Sequence, residues 1–290
     1  MKRLALKLSA LSEYESEREN LSEPEIESIL DAGRKWDLSE ILRSGGSLFF
    51  PHTYIVACGQ YIASAVHASL DSGADQILIL GVLHAFAGRL WEARQREIQG
   101  EDLFGEPYCG ILGSSVDQQT LWQTEFCLKG FLFLLDKEAK RRGVSMPRVY
   151  LRYPFLSQQQ PERLRGIEEL KSLLKDSILV ATADMYHHGA VYGTPERELL
   201  PISPQAYRKS QAVVQRCLSL LTEGDYQNYY HYSLSIRNDA IDVGSVLRYV
   251  LGPLEAEIMD MTLVDTSALF EGQPQPSWVA ASLISLTKKS

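Results

Sequence analysis

Short apolar runs, separated by polar stretches, recur along the chain and predict the strands of a central sheet. Residues 76–80 (QILIL) and 177–182 (SILVAT) are continuous β-branched and leucine runs, which is typical of strands buried on both faces. Residues 47–52 (SLFFPH) predict a strand that passes through a proline into a loop. Residues 148–155 (RVYLRYPF) predict another strand.

Between these runs, apolar residues recur with the spacing of amphipathic helices. Ser22, followed three residues later by Glu25, forms a capping box, which predicts a helix to about Trp36. Residues 86–117 are rich in glycine and polar groups and show no period, so we expect a long loop there, and such loops are often functional. The remaining predicted helices cover residues 57–72, 118–142, 161–175, 204–222, 225–234 and 242–251.

The order of the predicted elements indicates the fold class. Strands alternate with helices, and the chain ends in two strands, residues 257–265 and 278–286, that form a hairpin-like pair. This order predicts an α/β fold, a three-layer sandwich with a central mixed sheet. Because no linker or repeat is visible, we expect residues 1–290 to form a single domain, with residues 1–20 as a peripheral arm or edge strand.

The net charge narrows the classes of partner, and the cysteines indicate the cellular compartment. The formal net charge is -8, and no long face concentrates lysine and arginine, so we expect neither nucleic acid nor an anionic membrane as partner. No window approaches the roughly 18 apolar residues that a membrane-spanning helix needs. The four cysteines form no CxxC pair, and this usage suits the reducing cytoplasm, where we expect the protein to reside.

Three of the six histidines follow predicted strands. His52 follows residues 47–50 and a proline, His84 follows residues 76–80, and His187 follows residues 177–182. In open α/β sheets, ligands bind beyond the carboxyl ends of the strands, where these imidazoles would meet. Imidazole suits Zn, Cu and Fe, and two imidazoles with one carboxylate form the open triad of non-heme Fe(II) oxygenases. A chain of this length can bury a core unaided, so a metal is expected to serve chemistry.

The remaining candidates are ambiguous from the residues alone. Asp184 lies three residues before His187, where its carboxylate can hold the imidazole tautomer, act as a base, or cap a following helix. His188 can take any role given to His187. We expect His67, inside a predicted helix, to be structural, and His231, in an aromatic YYHY stretch, to belong to a packed surface.

Several segments resemble motifs of the MEMO family (AmmeMemoRadiSam system protein B). Residues 51–59 (PHTYIVACG) look like the PHAGYxxCG motif, and residues 79–84 (ILGVLH) look like ILGPSHH. Residues 183–187 (ADMYH) look like SSDFxHWG, and Glu125 falls on the first Glu of EHSIExHLP. The closing SWVAASLISLT is similar to the final strand of the family. The resemblance covers roughly residues 45–290, with the motifs in the same order and at similar intervals.

This resemblance implies a fold like that of class III extradiol dioxygenases, with a metal at one edge of a mixed sheet. It also implies a cleft that holds two histidines, a cysteine and a nearby Asp/His pair and that binds copper or iron. The histidine ligands correspond to His52 and His84, and the nearby pair corresponds to Asp184 and His187.

The chain departs from the family pattern at several motif positions. Tyr54 replaces the glycine of PHAGY, Ala85 replaces the second histidine of ILGPSHH, and Phe126 replaces the histidine of EHS. The HLP part of that last motif is lost, and the N-terminal AGxWY segment is not visible. Two of the substitutions, Ala85 and Phe126, remove a histidine of the family motifs.

The departure with the clearest chemical consequence is the missing cysteine ligand. Residues 237–244 (RNDAIDVG) contain no cysteine, and Asn238 falls at the ligand position, with Asp239 and Asp242 close by. Two histidines with a cysteine favour copper, whereas two histidines with a carboxylate favour Fe(II) or Mn(II). We favour a carboxylate and take Asp239 as the third ligand, with Asn238 and Asp242 as the alternatives.

The sequence therefore predicts a MEMO-like metal-binding protein, a non-heme Fe(II)-dependent, dioxygenase-like oxidoreductase that acts on a small molecule. The metal ligands would be His52, His84 and Asp239, with Cu or Zn as other metals, and His187 would be the acid/base, oriented by Asp184. One alternative is a non-catalytic metal- or peptide-binding adaptor on the same scaffold, and another is a zinc hydrolase. A homodimer is left open.

The predicted loop at residues 86–117 suggests a substrate charge. Trp91 and the basic residues Arg89, Arg94 and Arg96 lie within it, and we expect them to cover an anionic substrate.

Overall fold

An eight-stranded sheet runs through the centre of the protein in a computed structural model that describes residues 2–85, 88–115, 117, 121–270 and 275–289. The strands in chain order are β1 (Ser47–Phe50), β2 (Gln76–Leu80), β3 (Gly110–Leu112), β4 (Arg148–Phe155), β5 (Ile178–Thr182), β6 (Asp184–Gly189), β7 (Leu254–Asp265) and β8 (Ser277–Lys288).

The sheet is mixed, as expected. Its strand order is β3-β4-β2-β5-β1-β8-β6, and β7 also pairs with β8. β2 is parallel to β4 and β5, and β5 is parallel to β1, so the carboxyl ends of four strands share one edge. β8 is antiparallel to β1, β6 and β7, and the β7–β8 pair is the predicted closing pair.

Helices cover both faces of the sheet, and the predicted three-layer α/β sandwich is confirmed. α2, α4 and α6 contact one another in one layer, and α8, α9 and α10 contact one another in the other. None of the helices in the described ranges combines the length and the apolar character that a membrane crossing requires. The helices are α1 (Lys2–Asn20), α2 (Glu23–Gly33), α3 (Ser39–Arg43), α4 (Ile55–Asp71), α5 (Gly88–Ile98), α6 (Lys129–Arg142), α7 (Ile167–Leu174), α8 (Pro204–Glu223), α9 (Tyr226–Ile236) and α10 (Ile241–Leu251).

The position of β1 is fixed by large side chains on both sides of the sheet. Phe49 and Phe50 are fully buried, and Phe50 stacks on Phe131 of α6 with ring centroids 4.8 Å apart. Burial of a phenylalanine contributes roughly 1.5–3 kcal/mol relative to its exposure. This packing holds the end of β1, so Pro51 and His52 leave the sheet at a defined point.

The edge-strand alternative for residues 1–20 was wrong, because α1 is a helix. That these residues form a peripheral arm stays a prediction. The stretch of this helix from Glu13 to Asn20 is too charged for a conventional apolar stripe. Tyr14 supplies the burial instead, since it packs with Phe126 and Leu269 in a small hydrophobic cluster apart from the main core.

Residues 86–117 were also predicted incorrectly, because this segment contains α5 and β3. The buried positions of α5 are Leu90, Ala93 and Glu97, which have helical spacing. One of them is a glutamate that pairs with Arg94, so the apolar period is invisible in the sequence.

Two predicted helices are shorter than expected. The helix predicted at residues 118–142 begins only at Lys129, after a 3₁₀ turn (Leu121–Thr124), while residues 118–120 lie outside the described residues. In residues 161–175, a 3₁₀ turn (Pro161–Arg163) precedes α7, and Gly166 between them has the left-handed φ of 83°.

Candidate metal centre

The predicted site residues converge at the edge where the parallel strands end. His52 lies two residues beyond β1, His84 four residues beyond β2, and Asp184 two residues beyond β5. His187 lies within β6, and Asp239 lies in the short turn between α9 and α10. The topology therefore brings together five residues from four remote segments of the chain, as expected for a ligand site in an open α/β sheet.

One carboxylate oxygen is the centre of the cluster. Asp239 Oδ2 lies 3.1 Å from His52 Nε2, 3.8 Å from His84 Nε2 and 3.8 Å from His187 Nε2. The other oxygen, Oδ1, accepts a hydrogen bond from the main-chain N–H of Asp184 at 3.0 Å. Oδ2 is buried and makes no hydrogen bond of acceptable geometry with the described residues. A buried carboxylate oxygen of this kind calls for a compensating positive charge.

The His52 ring is held in one tautomer. Its Nδ1 lies 3.0 Å from Thr182 Oγ1, and that hydroxyl donates its own proton to the carbonyl of Phe50 at 2.9 Å. Thr182 therefore accepts from His52, so the proton lies on Nδ1. The second nitrogen, Nε2, faces Asp239 Oδ2 at 3.1 Å, where it carries the proton of a charged ring and frees its lone pair for a metal when that proton leaves.

Glu125 holds the His84 ring. Its carboxylate accepts from His84 Nδ1 and from the His84 main-chain N–H, both at 2.9 Å, and also from the N–H of Phe126 at 2.8 Å. A carboxylate behind an imidazole fixes ring orientation and increases ligand basicity, which is the usual arrangement around metal-binding histidines. This role also explains the turn before α6, since a continued helix would carry Glu125 away from His84.

His187 is oriented differently from the prediction. Its Nδ1 bonds to the main-chain carbonyl of Arg237 at 2.7 Å, whereas Asp184 was expected to hold this tautomer. Arg237 has a left-handed backbone (φ 56°), which aims the carbonyl at the ring and begins the turn that presents Asp239. Asp184 instead accepts from the main-chain N–H of His52 at 3.4 Å, and a strand follows it, so it caps no helix.

Protonation of the cluster follows from its charges. Burial opposes a charged His84 ring, but Glu125 and Asp239 outweigh it and raise its pKa to about 10. Burial likewise acts against a charged His52, but Asp184 and Asp239 raise its pKa. The pKa of Asp239 is lowered because the surrounding histidines overcome the effect of burial. Protons on the imidazoles therefore balance Asp239, at the position where a cation would replace them.

The pKa values of His187 and Asp184 shift in the opposite directions, so that both groups favour their neutral forms. Burial lowers the pKa of His187, and the neighbouring carboxylates do not fully compensate. Burial also raises the pKa of Asp184, with Asp239 adding to the effect. Two titratable groups with opposite shifts therefore line the same site, which is common where protons are exchanged.

The contacts of Asn238, Asp239 and Asp242, the three candidates for the third ligand, show which of them faces the histidines. The Asn238 amide donates to Ser233 Oγ at 3.1 Å, and its oxygen accepts from the N–H of Ala240, so it faces away from the cluster. Asp242 is paired with Arg94. Only Asp239, of these three, offers an oxygen within 4.8 Å of ligand atoms of His52 and His84.

The other histidines lie elsewhere. His188 points to the opposite side of β6 from His187, where it stacks on Trp278 at 4.4 Å and accepts the Leu200 N–H. His67 is buried between α4 and α2, with Nε2 2.6 Å from the carbonyl of Leu30. His231 is exposed on α9.

The arginines of α5 do not form the predicted anion-binding cover. Arg94 pairs with Glu97 and Asp242, and Arg96 pairs with Glu101 and Glu106. Arg89 is exposed, whereas Trp91 does line the site. Arg94 and Arg96 are therefore neutralised by carboxylates and offer no free charge to a substrate, whereas the charge of the substrate stays a prediction.

The cluster forms the floor of a cavity of about 470 Å³, a size common for small-molecule sites. Sequence reasoning missed Thr182, the Arg237 carbonyl and Tyr14, which also shape the site. A threonine at the end of a buried strand was the one available signal, because the other two depend on backbone conformation and helix docking.

Comparison with known proteins adds no family assignment. No protein-family model matches the chain, and no curated protein matches it significantly.

Proposed function

We propose that the protein is a MEMO-like metal-binding protein, a non-heme Fe(II)-dependent oxidoreductase that acts on a small molecule. His52, His84 and Asp239 would hold the metal. The observation that carries this proposal is the orientation of the imidazoles: both ligand rings donate Nδ1–H to fixed acceptors and turn Nε2 toward the same buried oxygen of Asp239, at 3.1 and 3.8 Å.

The donor set supports Fe(II) as the metal. Two imidazoles and one carboxylate, whose ligand atoms lie within 4.8 Å of one another and line the cavity, are the donor set used by non-heme Fe(II) oxygenases. Such a centre, when loaded, supplies one-electron chemistry with oxygen. Zinc accepts the same ligands, and copper accepts the imidazoles, so both are competitors in the test below.

His187 would exchange protons with the substrate. Its Nε2 faces the cavity floor 3.8 Å from Asp239 Oδ2, and burial keeps the ring neutral near pH 7, so Nε2 can accept a proton. The Arg237 carbonyl holds the other nitrogen, so the ring presents the same atom throughout. Asp184 would stabilise the charge that forms when the ring takes up a proton.

The test is metal analysis of protein purified without chelator, followed by anaerobic Fe(II) loading and measurement of oxygen uptake. We expect about one Fe(II) per chain in wild type, none in His52→Ala, and wild-type binding in His231→Ala, an exposed histidine away from the site. Equal binding by His52→Ala and wild type would overturn the proposal. Full stability with no response to Fe, Cu or Zn would favour the adaptor function instead.

A further inference from the structure

Arg237 has a backbone conformation that usually belongs to glycine. It ends α9 with φ 56° and ψ 39°. The left-handed region costs a residue with a Cβ about 1–2 kcal/mol, so helices commonly place glycine at this position. α6 and α8 do end in this way, at Gly143 and Gly224. An arginine in a strained conformation beside a candidate site therefore indicates a role for its side chain.

The Arg237 guanidinium joins two separate turns. It donates to the main-chain carbonyl of Ser235 at 2.7 Å, in its own turn, and to the carbonyls of Tyr192 and Gly193. The last two residues end a 3₁₀ turn (Ala190–Tyr192) that follows β6. A guanidinium can serve three carbonyls because it carries five N–H groups in a planar fork. The turn between α9 and α10 is thereby fixed relative to the end of β6.

His187 is held from two sides by this connection. Its Nδ1 lies 2.7 Å from the main-chain carbonyl of Arg237, and its ring packs edge-on against Tyr192 with ring centroids 4.8 Å apart. The Tyr192 hydroxyl lies 3.2 Å from Thr266 Oγ1, which fixes the far end of that ring. Because the guanidinium bonds the Tyr192 carbonyl, it sets the spacing of the two groups around the imidazole.

Two acceptors face the single N–H proton of the neutral His187 ring. The Arg237 carbonyl is within hydrogen-bond distance of Nδ1, whereas Asp239 Oδ2 is 3.8 Å from Nε2, too far for a hydrogen bond. A carbonyl can only accept, so the proton lies on Nδ1 and the lone pair lies on Nε2. The charged oxygen of Asp239 is the stronger acceptor, and a displacement of about 1 Å would bring it within reach of the ring.

We propose that Arg237 is a positioning residue, whose guanidinium keeps the proton of His187 on Nδ1 and thereby leaves Nε2 free at the cavity. The tautomer follows from the contacts of Arg237 alone. That the free Nε2 accepts a proton from a substrate rests on the proposed function. Without the guanidinium, the turn relaxes, and the ring places its proton on Nε2 as a donor to Asp239.

The test reads the tautomer of His187 from the imidazole ¹⁵N shifts of metal-free protein at about pH 8, above the usual histidine pKa. The His187 signals are those absent from His187→Ala. Arg237→Gly removes the guanidinium but suits the left-handed backbone, so it separates the side chain from the turn conformation. We expect the Nδ1–H form in wild type, and a ratio of the two tautomers shifted at least about 10-fold toward Nε2–H in Arg237→Gly.

Two further variants show whether the effect belongs to the guanidinium. Arg237→Lys keeps the charge and can donate to some of the same carbonyls without the planar fork, so its ratio should lie between those of wild type and Arg237→Gly. Arg208→Gly, at an exposed arginine inside α8, is the matched control. It makes the same replacement and destabilises a helix away from the site, and it should keep the wild-type tautomer.

The Nε2–H form in wild type, an unchanged ratio in folded Arg237→Gly, or an equal shift in Arg208→Gly would each overturn the inference. Circular dichroism shows whether each variant folds. If Arg237→Gly does not fold, Arg237→Lys takes its place, and a ratio equal to that of wild type overturns the inference. Because the protein is metal-free, failed Fe(II) binding by wild type together with the expected tautomer shift would defeat the proposed function alone.

Discussion

Asp239 and Asp242 lie three residues apart and have opposite surroundings. Asp242 is paired with the Arg94 guanidinium, and its Oδ1 accepts the Ser157 N–H at 2.8 Å. Asp239 has one oxygen on a main-chain N–H and the other among three imidazole nitrogens. Both carboxylates are largely buried, so burial alone does not distinguish a ligand from a structural ion pair.

The difference lies in whether the acceptor oxygens are already satisfied. Asp242 has a permanent cation beside it, and Glu97 shares the same arginine. The partners of Asp239 are imidazoles, which can give up their protons to a metal, whereas an arginine cannot be deprotonated. A buried carboxylate among histidines is therefore exchangeable, while one beside arginine is fixed.

The strongest test of this comparison is Asp242→Asn. Asp242→Asn removes one of the two carboxylates beside Arg94, and Glu97 still pairs with the guanidinium, so the cost is that of a hydrogen bond to a charged group, about 1.5–3 kcal/mol. We expect the free energy of unfolding, measured by urea denaturation, to fall by that amount. The folded fraction should bind metal as wild type does. Loss of metal binding with unchanged stability would instead make Asp242 the ligand.

Asp239→Asn should weaken metal binding, whereas Asp242→Asn should weaken the fold. The amide keeps the shape but removes the negative charge, and we expect metal affinity to fall at least about 100-fold, as loss of a direct ligand should exceed that of an outer partner. In wild type, metal at 100 times its Kd adds about 2.7 kcal/mol to stability. Thermal melts should show this rise in wild type and Asp242→Asn, and at most about 0.4 kcal/mol of it in Asp239→Asn. A normal metal-dependent rise in Asp239→Asn would remove it from the ligand set.

The sequence was sufficient to predict the layers of the fold and the histidines at the strand ends. Both follow from local patterns, since β2 and β5 are continuous apolar runs and His52 and His84 lie just beyond strands. The third ligand could not be chosen, because Asn238, Asp239 and Asp242 share one short segment. Their roles are decided by Arg94 and the histidines, which come from distant positions.

α5 could not be predicted for a related reason. Its buried face includes Glu97, a charged residue that can be buried there because it pairs with Arg94. The orientation of His187 by the Arg237 carbonyl depends on a left-handed backbone at a residue that is not glycine, which no composition signal marks. Such features arise from tertiary contacts rather than from local periodicity.

Glu125→Gln tests whether the carboxylate behind the His84 ring contributes to metal binding. The amide oxygen can still accept from His84 Nδ1, but the amide NH2 cannot accept the His84 main-chain N–H, and the negative charge that raises ligand basicity is lost. We expect metal affinity to fall about 10–100-fold, since outer partners of metal-bound histidines typically have effects of this size. Glu15→Gln, at a partly exposed glutamate on α1, is the control and should leave metal affinity unchanged. Equal affinities in both variants would show that Glu125 only shapes the turn before α6.

The smallest effect is expected at His188, which tests whether neighbouring histidines of β6 differ as Asp239 and Asp242 do. Burial, with help from Lys209 and Arg237, lowers the His188 pKa to about 4, below its unfolded value. Protonation therefore favours the unfolded state, so this contribution to stability is present above about pH 6.5 and is lost as the pH falls toward 4. Urea denaturation at pH 7 and pH 5 should show that His188→Gln removes about 1 kcal/mol of the wild-type decrease. Leu200 N–H keeps an acceptor in this variant. An unchanged decrease would mean that His188 does not titrate as a buried neutral ring.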